Sequence, residues 1–242
     1  MLRRRLSQSL VPAGVWLLAC ACGPSVATPM PEPPAFDLTG VNKSEIEPAN
    51  KPADPDALVL TGIEGTVPGG AVVRVTNLDS TAPVSAVNAT PGGHFEVVLV
   101  VLDGQELRFE WQQGDQGSAP ADAIIHRPNP AGTAYQVVPS PRFDCLQLAP
   151  GFVLDLGTSP QATLHVQNGC TEAVSLANPR TRLGLADFTL STALPLEIAA
   201  GTSGELSVEF AAGAAGQRED VLFVDVSNAG TTIRYPITLR AP

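Results

Sequence analysis

The chain has 242 residues, of which 14 are basic and 24 acidic, so its formal net charge is −10. A chain this acidic is repelled by phosphate backbones, and the sequence contains no basic stripe, which excludes a nucleic-acid-binding protein. Both lysines, Lys43 and Lys51, lie early, and the basic side chains after them are arginines. The acidity favours solubility and says little about the fold.

The first residues have the pattern of a secretory signal. Three arginines at positions 3–5 precede an apolar run from Leu10 to Ala19, as in a charged and then hydrophobic leader. The run is too short to span a bilayer, which needs about 20 residues. The ending Leu17-Leu-Ala-Cys20 resembles the lipobox of bacterial lipoproteins, in which the cysteine is lipidated and becomes the new N-terminus. This resemblance implies a signal peptide over residues 1–19 and lipidation of Cys20.

The residue after this cysteine bears on sorting. In the lipoprotein family an aspartate there tends to retain the protein in the inner membrane, so Ala21 implies the outer membrane. We therefore expect a cell-envelope protein held at the outer membrane by an N-terminal lipid anchor and facing either the periplasm or the cell surface. The alternative is a soluble secreted protein cut after Ala19 or Ala21.

Residues 20–56 are predicted to be the lipidated cysteine and a disordered, proline-rich tether. Eight prolines lie between Gly23 and Asp56. Proline fixes φ and removes an amide donor, so such a stretch favours extended, solvated conformations. Its expected role is to hold the folded part of the chain away from the lipid surface.

Residues 57–127 are predicted to form a first β-sandwich. Apolar and polar residues alternate with the period of half-buried strands in three stretches, residues 73–76, 95–101 and 107–112. In the third stretch, Arg108, Glu110 and Gln112 take the outward positions. Asp103-Gly104 stands between two of the stretches and is a hairpin signal.

This segment also resembles a known module. The resemblance rests on three short runs, Glu64-Gly-Thr-Val-Pro68, Ala71-Val-Val-Arg-Val-Thr76 and Gly93-His-Phe95. They are similar to a bacterial immunoglobulin-like, or carboxypeptidase-regulatory-like, module. The resemblance implies an immunoglobulin-like sandwich that serves spacing and protein–protein contact.

Residues 128–142 are predicted to be a linker, with a short strand over residues 135–138 as an option. The linker leaves the two sandwiches free either to pack together or to swing. Residues 143–242 are predicted to form a second β-sandwich, with candidate strands over residues 152–156, 163–167, 205–210, 221–226 and 231–239. Because proline cannot donate to a ladder, Pro236 predicts that the last of these is an edge or bulged strand. The fold class is all-β, two tandem sandwiches.

The second segment resembles another family of sandwiches. The order of motifs is Leu146-Gln-Leu-Ala-Pro150, Leu154-Asp-Leu-Gly157, Asn168-Gly169, Ala186-Asp-Phe-Thr-Leu190, Leu206-Ser-Val-Glu-Phe210 and Val226-Ser-Asn228. This order is similar to the abnormal-spindle/hydin-type and choice-of-anchor domains of bacterial surface proteins. These are immunoglobulin-like sandwiches related in architecture to major sperm protein. The resemblance implies no catalytic residue.

Two of the four cysteines lie in the signal region, which leaves Cys145 and Cys170. In an oxidising compartment pairing is the default, so we predict a disulfide between them. Two buried free thiols are the alternative. A metal site is disfavoured, because neither cysteine has a Cys-x-x-Cys partner or a paired histidine nearby.

No reactive cluster is evident along the chain, and we expect no catalytic residue, cofactor or metal. The three histidines, His94, His126 and His165, are widely spread, and no Gly-x-Ser-x-Gly elbow is present. Asp103 and Glu106 offer only two carboxylates to calcium. Carbohydrate sites usually contain exposed aromatic rings. Trp111 alternates in step with the core residues of its strand and is therefore expected to be buried, so the remaining candidates for such a ring are the two tyrosines, Tyr135 and Tyr235.

The sequence therefore predicts a membrane-anchored cell-envelope lipoprotein that is a non-catalytic structural or protein-interaction module with a protein partner in the envelope. The first alternative is a surface module that binds a glycan or a peptide strand, since exposed sheet edges can accept an added strand. The second alternative is a hydrolase, which would need a pocket that gathers His, Asp and Ser.

Overall fold

The computed structural model of the chain describes residues 36–42, 57–126, 135–211 and 218–241. Across these ranges the chain forms eighteen strands, one turn of 3-10 helix over Leu38–Gly40, and no α-helix. The predicted all-β class is confirmed. Within the same ranges, no helix is long and apolar enough to cross a membrane.

Nine strands build the first sandwich. They are β1 Val41–Asn42, β2 Ala57–Gly62, β3 Val72–Asn77, β4 Ser85–Asn88, β5 Phe95–Val100, β6 Glu106–Gln113, β7 Gln116–Gly117, β8 Ala121–His126 and β9 Gln136–Pro139. One sheet has the order β1-β2-β5, and the other has the order β4-β3-β6-β8-β9 with β7 paired to β6. All of these pairs are antiparallel.

The core of the first sandwich lies between its two sheets. Alternate residues of β2 and β5, such as Leu60 and Val97, face alternate residues of the other sheet, such as Phe109. This is the outcome that the period-two pattern predicts, because successive side chains of a strand point to opposite faces. Trp111 also belongs to this core and is 7% exposed, as predicted.

The predicted tether is wrong over residues 36–42. The ring of Phe36 lies 6.1 Å from that of Phe95 and 5.5 Å from that of Phe109, measured between centroids. Val41 pairs with Gly62 as part of β1. Proline prevents long elements, but a single buried aromatic ring and a two-residue edge strand are enough to hold a segment on the core. The rest of the predicted tether lies outside the described residues.

The short strand that the sequence offered as an option over residues 135–138 is present as β9, but residues 135–139 belong to the first sandwich and not to a linker. Tyr135 is 1% exposed within the first core, and its hydroxyl donates to the carbonyl oxygen of Val59 at 3.2 Å. Burial raises the pKa of this phenol to about 12. β9 then adds to the edge of the six-stranded sheet beside β8, where Pro139 is tolerated because an edge strand can dispense with one amide donor.

Nine further strands build the second sandwich. They are β10 Leu146–Ala149, β11 Val153–Asp155, β12 Gln161–Asn168, β13 Val174–Thr181, β14 Phe188–Leu190, β15 Leu196–Ile198, β16 Ser203–Phe210, β17 Arg218–Asn228 and β18 Thr231–Ala241. The sheets have the orders β10-β12-β16-β14 and β11-β18-β17-β13-β15. The five strands predicted for this segment are all present, and a second core lies between the two sheets.

β13 is a strand that the sequence pattern did not reveal. Its register with β17 shifts between Ala177 and Arg180. Asn178 at the shift has a φ of +50°, a conformation that asparagine tolerates better than most residues. The bulge breaks the alternation of side chains on which strand prediction depends.

Pro236 marks an edge only locally. β18 pairs with β17 along its whole length, and it pairs in parallel with β11 from Thr238 onward. At Pro236 the strand therefore has one neighbour, whereas after it β18 is an interior strand. The prediction of an edge strand holds at the proline and is wrong for the strand as a whole.

The Asp103-Gly104 turn does not close a hairpin. β5 before it belongs to the three-stranded sheet, and β6 after it belongs to the six-stranded sheet. The turn therefore carries the chain from one layer of the sandwich to the other. Gly104 has a φ of +80°, which glycine adopts without steric cost.

Cys145 and Cys170 form a disulfide, as predicted. They flank the paired ends of β10 and β12, where Leu146 lies opposite Asn168. The amide of Gly169 donates to the carbonyl oxygen of Cys145 at 2.8 Å. The bond therefore fixes the first strand of the second sandwich to its neighbour.

Replacing both cysteines by serine (C145S/C170S) is expected to lower the free energy of unfolding. The two residues are separated by 25 positions, and closing a loop of this length is worth about 3.5 kcal/mol. Urea unfolding of the two proteins measures the difference, and circular dichroism checks that the variant keeps its strands. A loss below about 1 kcal/mol would contradict the entropic account of this bond.

Candidate functional site

The two sandwiches contact each other through the outer face of one sheet from each. Both belong to one compact unit, Glu32–Pro242. The face on the first sandwich is centred on β6, with β3 and β8 beside it, and the face on the second is formed by β17 and β18. We call this contact the junction. Glu106, Arg108 and Glu110, which point away from their own core, all lie within it.

Arg108 is at the centre of the junction and is 1% exposed. Its Nε and Nη2 atoms donate to the two carboxylate oxygens of Asp122 on β8, at 2.7 and 2.9 Å. The guanidinium also reaches the second sandwich, where Nη1 donates to the Thr238 hydroxyl at 2.6 Å and Nη2 to the Pro236 carbonyl at 2.7 Å. One planar fork therefore serves both sandwiches at once.

Ion pairs flank Arg108 on both sides. Arg234 Nη2 donates to a carboxylate oxygen of Glu106 at 2.6 Å, and Arg240 Nη2 donates to both oxygens of Glu110, each at 3.0 Å. Further pairs widen the network: Arg74–Glu219, Arg240–Glu219 and Arg234–Asp79. Glu106, Arg108 and Glu110 alternate along β6, and their partners on β18 follow in the same order: Arg234, Thr238 and Arg240. This order fixes the register of one sandwich on the other.

The outward phase predicted for Arg108 and Glu110 is correct, but these side chains are not solvated. Glu106 and Glu110 are each 5% exposed, because the second sandwich covers them. Alternation along a strand separates the two faces of its sheet and does not reveal whether another body covers the polar face.

Arg142 makes the connection between the sandwiches part of the junction. Its Nη2 donates to Asp122 at 2.7 Å and to Glu106 at 3.2 Å. Its guanidinium also lies over the rings of Phe152 and Tyr235, 5.6 and 5.3 Å from their centroids. Of the two arrangements left open by the sequence, packing or swinging, these contacts support packing.

A small apolar cluster lies beside the ion pairs. Leu78 of the first sandwich packs with Val221 and Phe223, whose side chains project from the outer face of β17. Arg234 lies over the Phe223 ring, 4.8 Å from its centroid. Arg182, which directly follows β13, donates to the carbonyl oxygens of Asn77 and Ala82. The junction thus combines apolar contact with charge pairing.

The junction favours the charged forms of Asp122, Asp79 and Arg234. Burial alone would raise the pKa of the Asp122 carboxyl, but the charges and hydrogen bonds of Arg108 and Arg142 outweigh it and hold this pKa below its usual 3.8. The pKa of Asp79 is likewise lowered, because the hydrogen bonds from Arg234 and the Glu106 amide outweigh burial. For Arg234, burial lowers the pKa and the carboxylates of Asp79 and Glu106 raise it by more.

A polar groove of about 260 Å³ lies at one rim of the junction. The first sandwich contributes Arg74, Glu110, Trp111 and the hairpin that joins β6 to β7, and the second contributes Asp155 and Arg240. Because its walls come from both sandwiches, the groove depends on the junction.

The residues singled out by the sequence lie in different places. Cys20 lies outside the described residues, so its lipidation stays a prediction. His126 and His165 are exposed and His94 is half-buried. In the described ranges no three His, Cys, Asp or Glu side chains are grouped so as to hold a metal ion. Tyr135 and Tyr235, the two tyrosines left as candidate platforms, are 1% and 3% exposed, so neither presents an exposed ring.

Comparison with known proteins does not assign a family. No protein-family model matches the chain, and no curated protein matches it. Among solved structures, the VesB protease of Vibrio cholerae is similar at a TM-score of 0.35 and 15% identity, over 73% of this chain and 64% of that one. The chain thus spans less than two thirds of the VesB chain.

Two other solved structures are similarly distant. A protein of unknown function from Porphyromonas gingivalis W83 has a TM-score of 0.31 and 14% identity, over 77% of this chain and 92% of that one. The D0-D1 domain of intimin has a TM-score of 0.27 and 8% identity, over 76% and 89% of the two chains. The resemblance to abnormal-spindle/hydin-type domains stays a prediction.

Replacing Arg108 by methionine (R108M) is expected to destabilise the junction strongly. The variant keeps the length of the side chain but leaves a buried carboxylate short of its partner, a change that costs about 3–5 kcal/mol. The matched control is Arg180→Met, because Arg180 pairs with Asp225 while 49% exposed, and such a pair is worth about 0–1 kcal/mol. Urea unfolding measures both variants.

Nuclear spin relaxation gives a second readout of the same variants. The two sandwiches of the parent and of R180M should share one rotational correlation time, whereas those of R108M should tumble separately. Equal losses of stability in R108M and R180M, with common tumbling in both, would show that Arg108 does not hold the junction.

The stability of the protein is expected to fall in acid because of Asp122. A carboxyl whose pKa is depressed by folding stabilises the folded state above its unfolded pKa, and this stabilisation is lost as the pH falls through the folded pKa. Stability should therefore be level down to about pH 5 and should fall below about pH 4. Asp122→Asn should flatten the decline, and the exposed Asp144→Asn should not. Urea midpoints between neutral and acidic pH measure the profile, and identical profiles for all three proteins would contradict it.

Proposed function

We propose that the protein is a lipid-anchored lipoprotein of the cell envelope, and that its two sandwiches act as one rigid structural and protein-interaction module. The observation that carries the proposal is the buried Arg108. Its guanidinium binds Asp122 in its own sandwich and the Thr238 hydroxyl in the other sandwich. A module that spans a distance between a membrane and a partner needs a fixed shape, and this contact provides one.

The ion pairs around Arg108 support a single relative orientation. If one sandwich slid along the other by two residues, Arg234 and Arg240 would leave Glu106 and Glu110 and would bury charges without partners. Such charges are strongly destabilising, so the flanking pairs select one register. Interfaces between domains of one chain usually permit motion unless they are large and apolar. Here the matched positions of the charges, rather than a large apolar area, restrict the motion of one sandwich on the other.

The non-catalytic part of the proposal is supported by how the buried ionisable groups are used. Asp122, Glu106 and Glu110 all accept hydrogen bonds from arginines across or beside the junction. A general acid or base needs a titratable group that faces substrate, whereas these carboxylates face guanidinium groups.

The anchor is supported by the lipobox-like ending at Cys20. Replacing this residue (C20S) should abolish incorporation of radioactive palmitate and should move the protein from the membrane fraction to the soluble fraction. The matched control is Cys22→Ser, which removes the neighbouring thiol and should leave both readouts unchanged. The measurement is labelling and fractionation of cells that express each full chain.

Equal labelling of the parent and C20S would overturn the anchor. Labelling that is lost in C22S and kept in C20S would move the anchor to the other cysteine. The rigid part of the proposal is tested separately, because it fails if the parent's two sandwiches tumble independently.

A further inference from the structure

The outer face of the three-stranded sheet β1-β2-β5 exposes a group of aliphatic side chains, which we call the apolar face. In the described ranges seven large apolar side chains are exposed, and the four most exposed, at 47–53%, belong to this face: Ile63, Val98, Val100 and Leu102. Single exposed apolar residues are normal on a protein surface, whereas a group of them on one face marks a contact site.

The apolar face follows from the alternation of side chains along β5. Val97 and Val101 point into the first core. Successive side chains of a strand point to opposite faces, so Val98, Val100 and Leu102 point away from that core. The exposed side chains therefore form a row along the outer side of this strand.

Charge is sparse on this face. β2 contains no charged residue, and β5 contains one, Glu96. Ala57 and Val59 of β2 have the same outward phase but are 8% and 6% exposed, so the exposed surface follows β5. Few polar groups would lose their hydration if this row met a non-polar surface.

The N-terminal part of the chain enters the first sandwich beside the apolar face. β1 belongs to the same sheet, and the amide of Ile63 donates to the carbonyl oxygen of Gly40 at 3.0 Å. Phe36, just before β1, is fixed in the first core. With a lipid on Cys20, the chain from there to Phe36 could span at most about 55 Å. The anchor would therefore keep this face within reach of the bilayer.

The second sandwich lies on the opposite side of the first. Arg108 and Glu110 reach the junction from the outer face of the six-stranded sheet, whereas the apolar face belongs to the other sheet, across the core. A first sandwich that rested on its apolar face would hold the second sandwich away from the bilayer. This is the arrangement that a spacer needs.

The composition of the face favours lipid over a protein partner. Protein interfaces concentrate their binding energy in tryptophan, tyrosine and arginine, and neither β2 nor β5 contains any of these residues. Valine, leucine and isoleucine transfer favourably into hydrocarbon. The net charge of −10 opposes binding to anionic lipids, so the face suits a zwitterionic surface.

We propose that the apolar face rests on the surface of a phospholipid bilayer, with Ile63, Val98, Val100 and Leu102 in contact with lipid. The proposal rests on the lipid anchor proposed above. The anchor raises the local concentration of membrane at the face, so a small contact is sufficient to hold it there. The contact adds an orientation to the module: the first sandwich lies on the membrane and the second projects from it.

Quenching of a fluorophore by nitroxide-labelled lipids tests the contact. The lipidated chain carries Cys22→Ser, which removes the neighbouring thiol, and one new cysteine labelled with an environment-sensitive dye. It is reconstituted on phosphatidylcholine vesicles. Because the two sheets of a sandwich lie about 10 Å apart, quenching at V98C and L102C should be roughly threefold or more that at V72C and V138C. Val72 and Val138 are exposed valines of the six-stranded sheet.

A second variant removes the apolar contact without moving the dye. V98N/V100N, labelled at L102C, should lower the quenching to the level measured at V72C. The matched control is V72N/V138N with the same label, which should leave the quenching unchanged. All four substituted side chains are exposed, so circular dichroism should show the strands of the parent in both variants.

Equal quenching on the two sheets of a protein that sediments with the vesicles would overturn the contact while leaving the anchor standing. Undiminished quenching at L102C in V98N/V100N would also overturn it. A face that serves a protein partner instead would stay unquenched on vesicles of pure lipid. A protein that does not sediment with the vesicles would show that the anchor itself fails.

Discussion

The guanidinium of Arg108 is a buried charge that the two sandwiches satisfy together. Removing an arginine from water costs several kcal/mol unless its donors find partners, and here one carboxylate and two oxygens of the other sandwich receive them. Neither sandwich supplies the whole set alone. The register of the junction, the place of Arg142 in it and the walls of the groove all follow from this shared group.

The preference for arginine over lysine follows from the same contact. Six arginines take part in the junction: Arg74, Arg108, Arg142, Arg182, Arg234 and Arg240. Several of them reach two acceptors in different directions, or stack on a ring while donating, which a planar guanidinium does and a compact ammonium group does not. The two lysines, by contrast, lie at positions 43 and 51, outside the described residues.

Local patterns predicted the strands well because alternation reflects one sheet and its own core. They predicted the phase of Arg108 correctly but not its burial, since the covering residues lie some 130 positions further along the chain. The disulfide was predictable from the count and compartment of the cysteines. Phe36 and Tyr135 were assigned to a tether and a linker, because proline content describes the backbone and does not report where a single aromatic ring is buried.

The groove was not predictable from sequence. Its walls combine Asp115 of one sandwich with Asp155 of the other, and the motif that contains Asp155 indicates a sandwich and not a binding site. The docked arrangement of the two sandwiches brings both to one groove, together with Arg240. A spacing rule for binding residues applies within one element, whereas this site is assembled from two bodies.

The charged character of the junction bears on how the chain is made. β6 emerges long before β18, so the first sandwich spends time with its docking face uncovered. An uncovered apolar face would promote aggregation. The side chains of Glu106, Arg108 and Glu110 are charged, and water hydrates them readily until the second sandwich covers them. The docking face of the first sandwich is therefore polar before the second half is made, and the two halves can meet late in folding without leaving an apolar face uncovered at these positions.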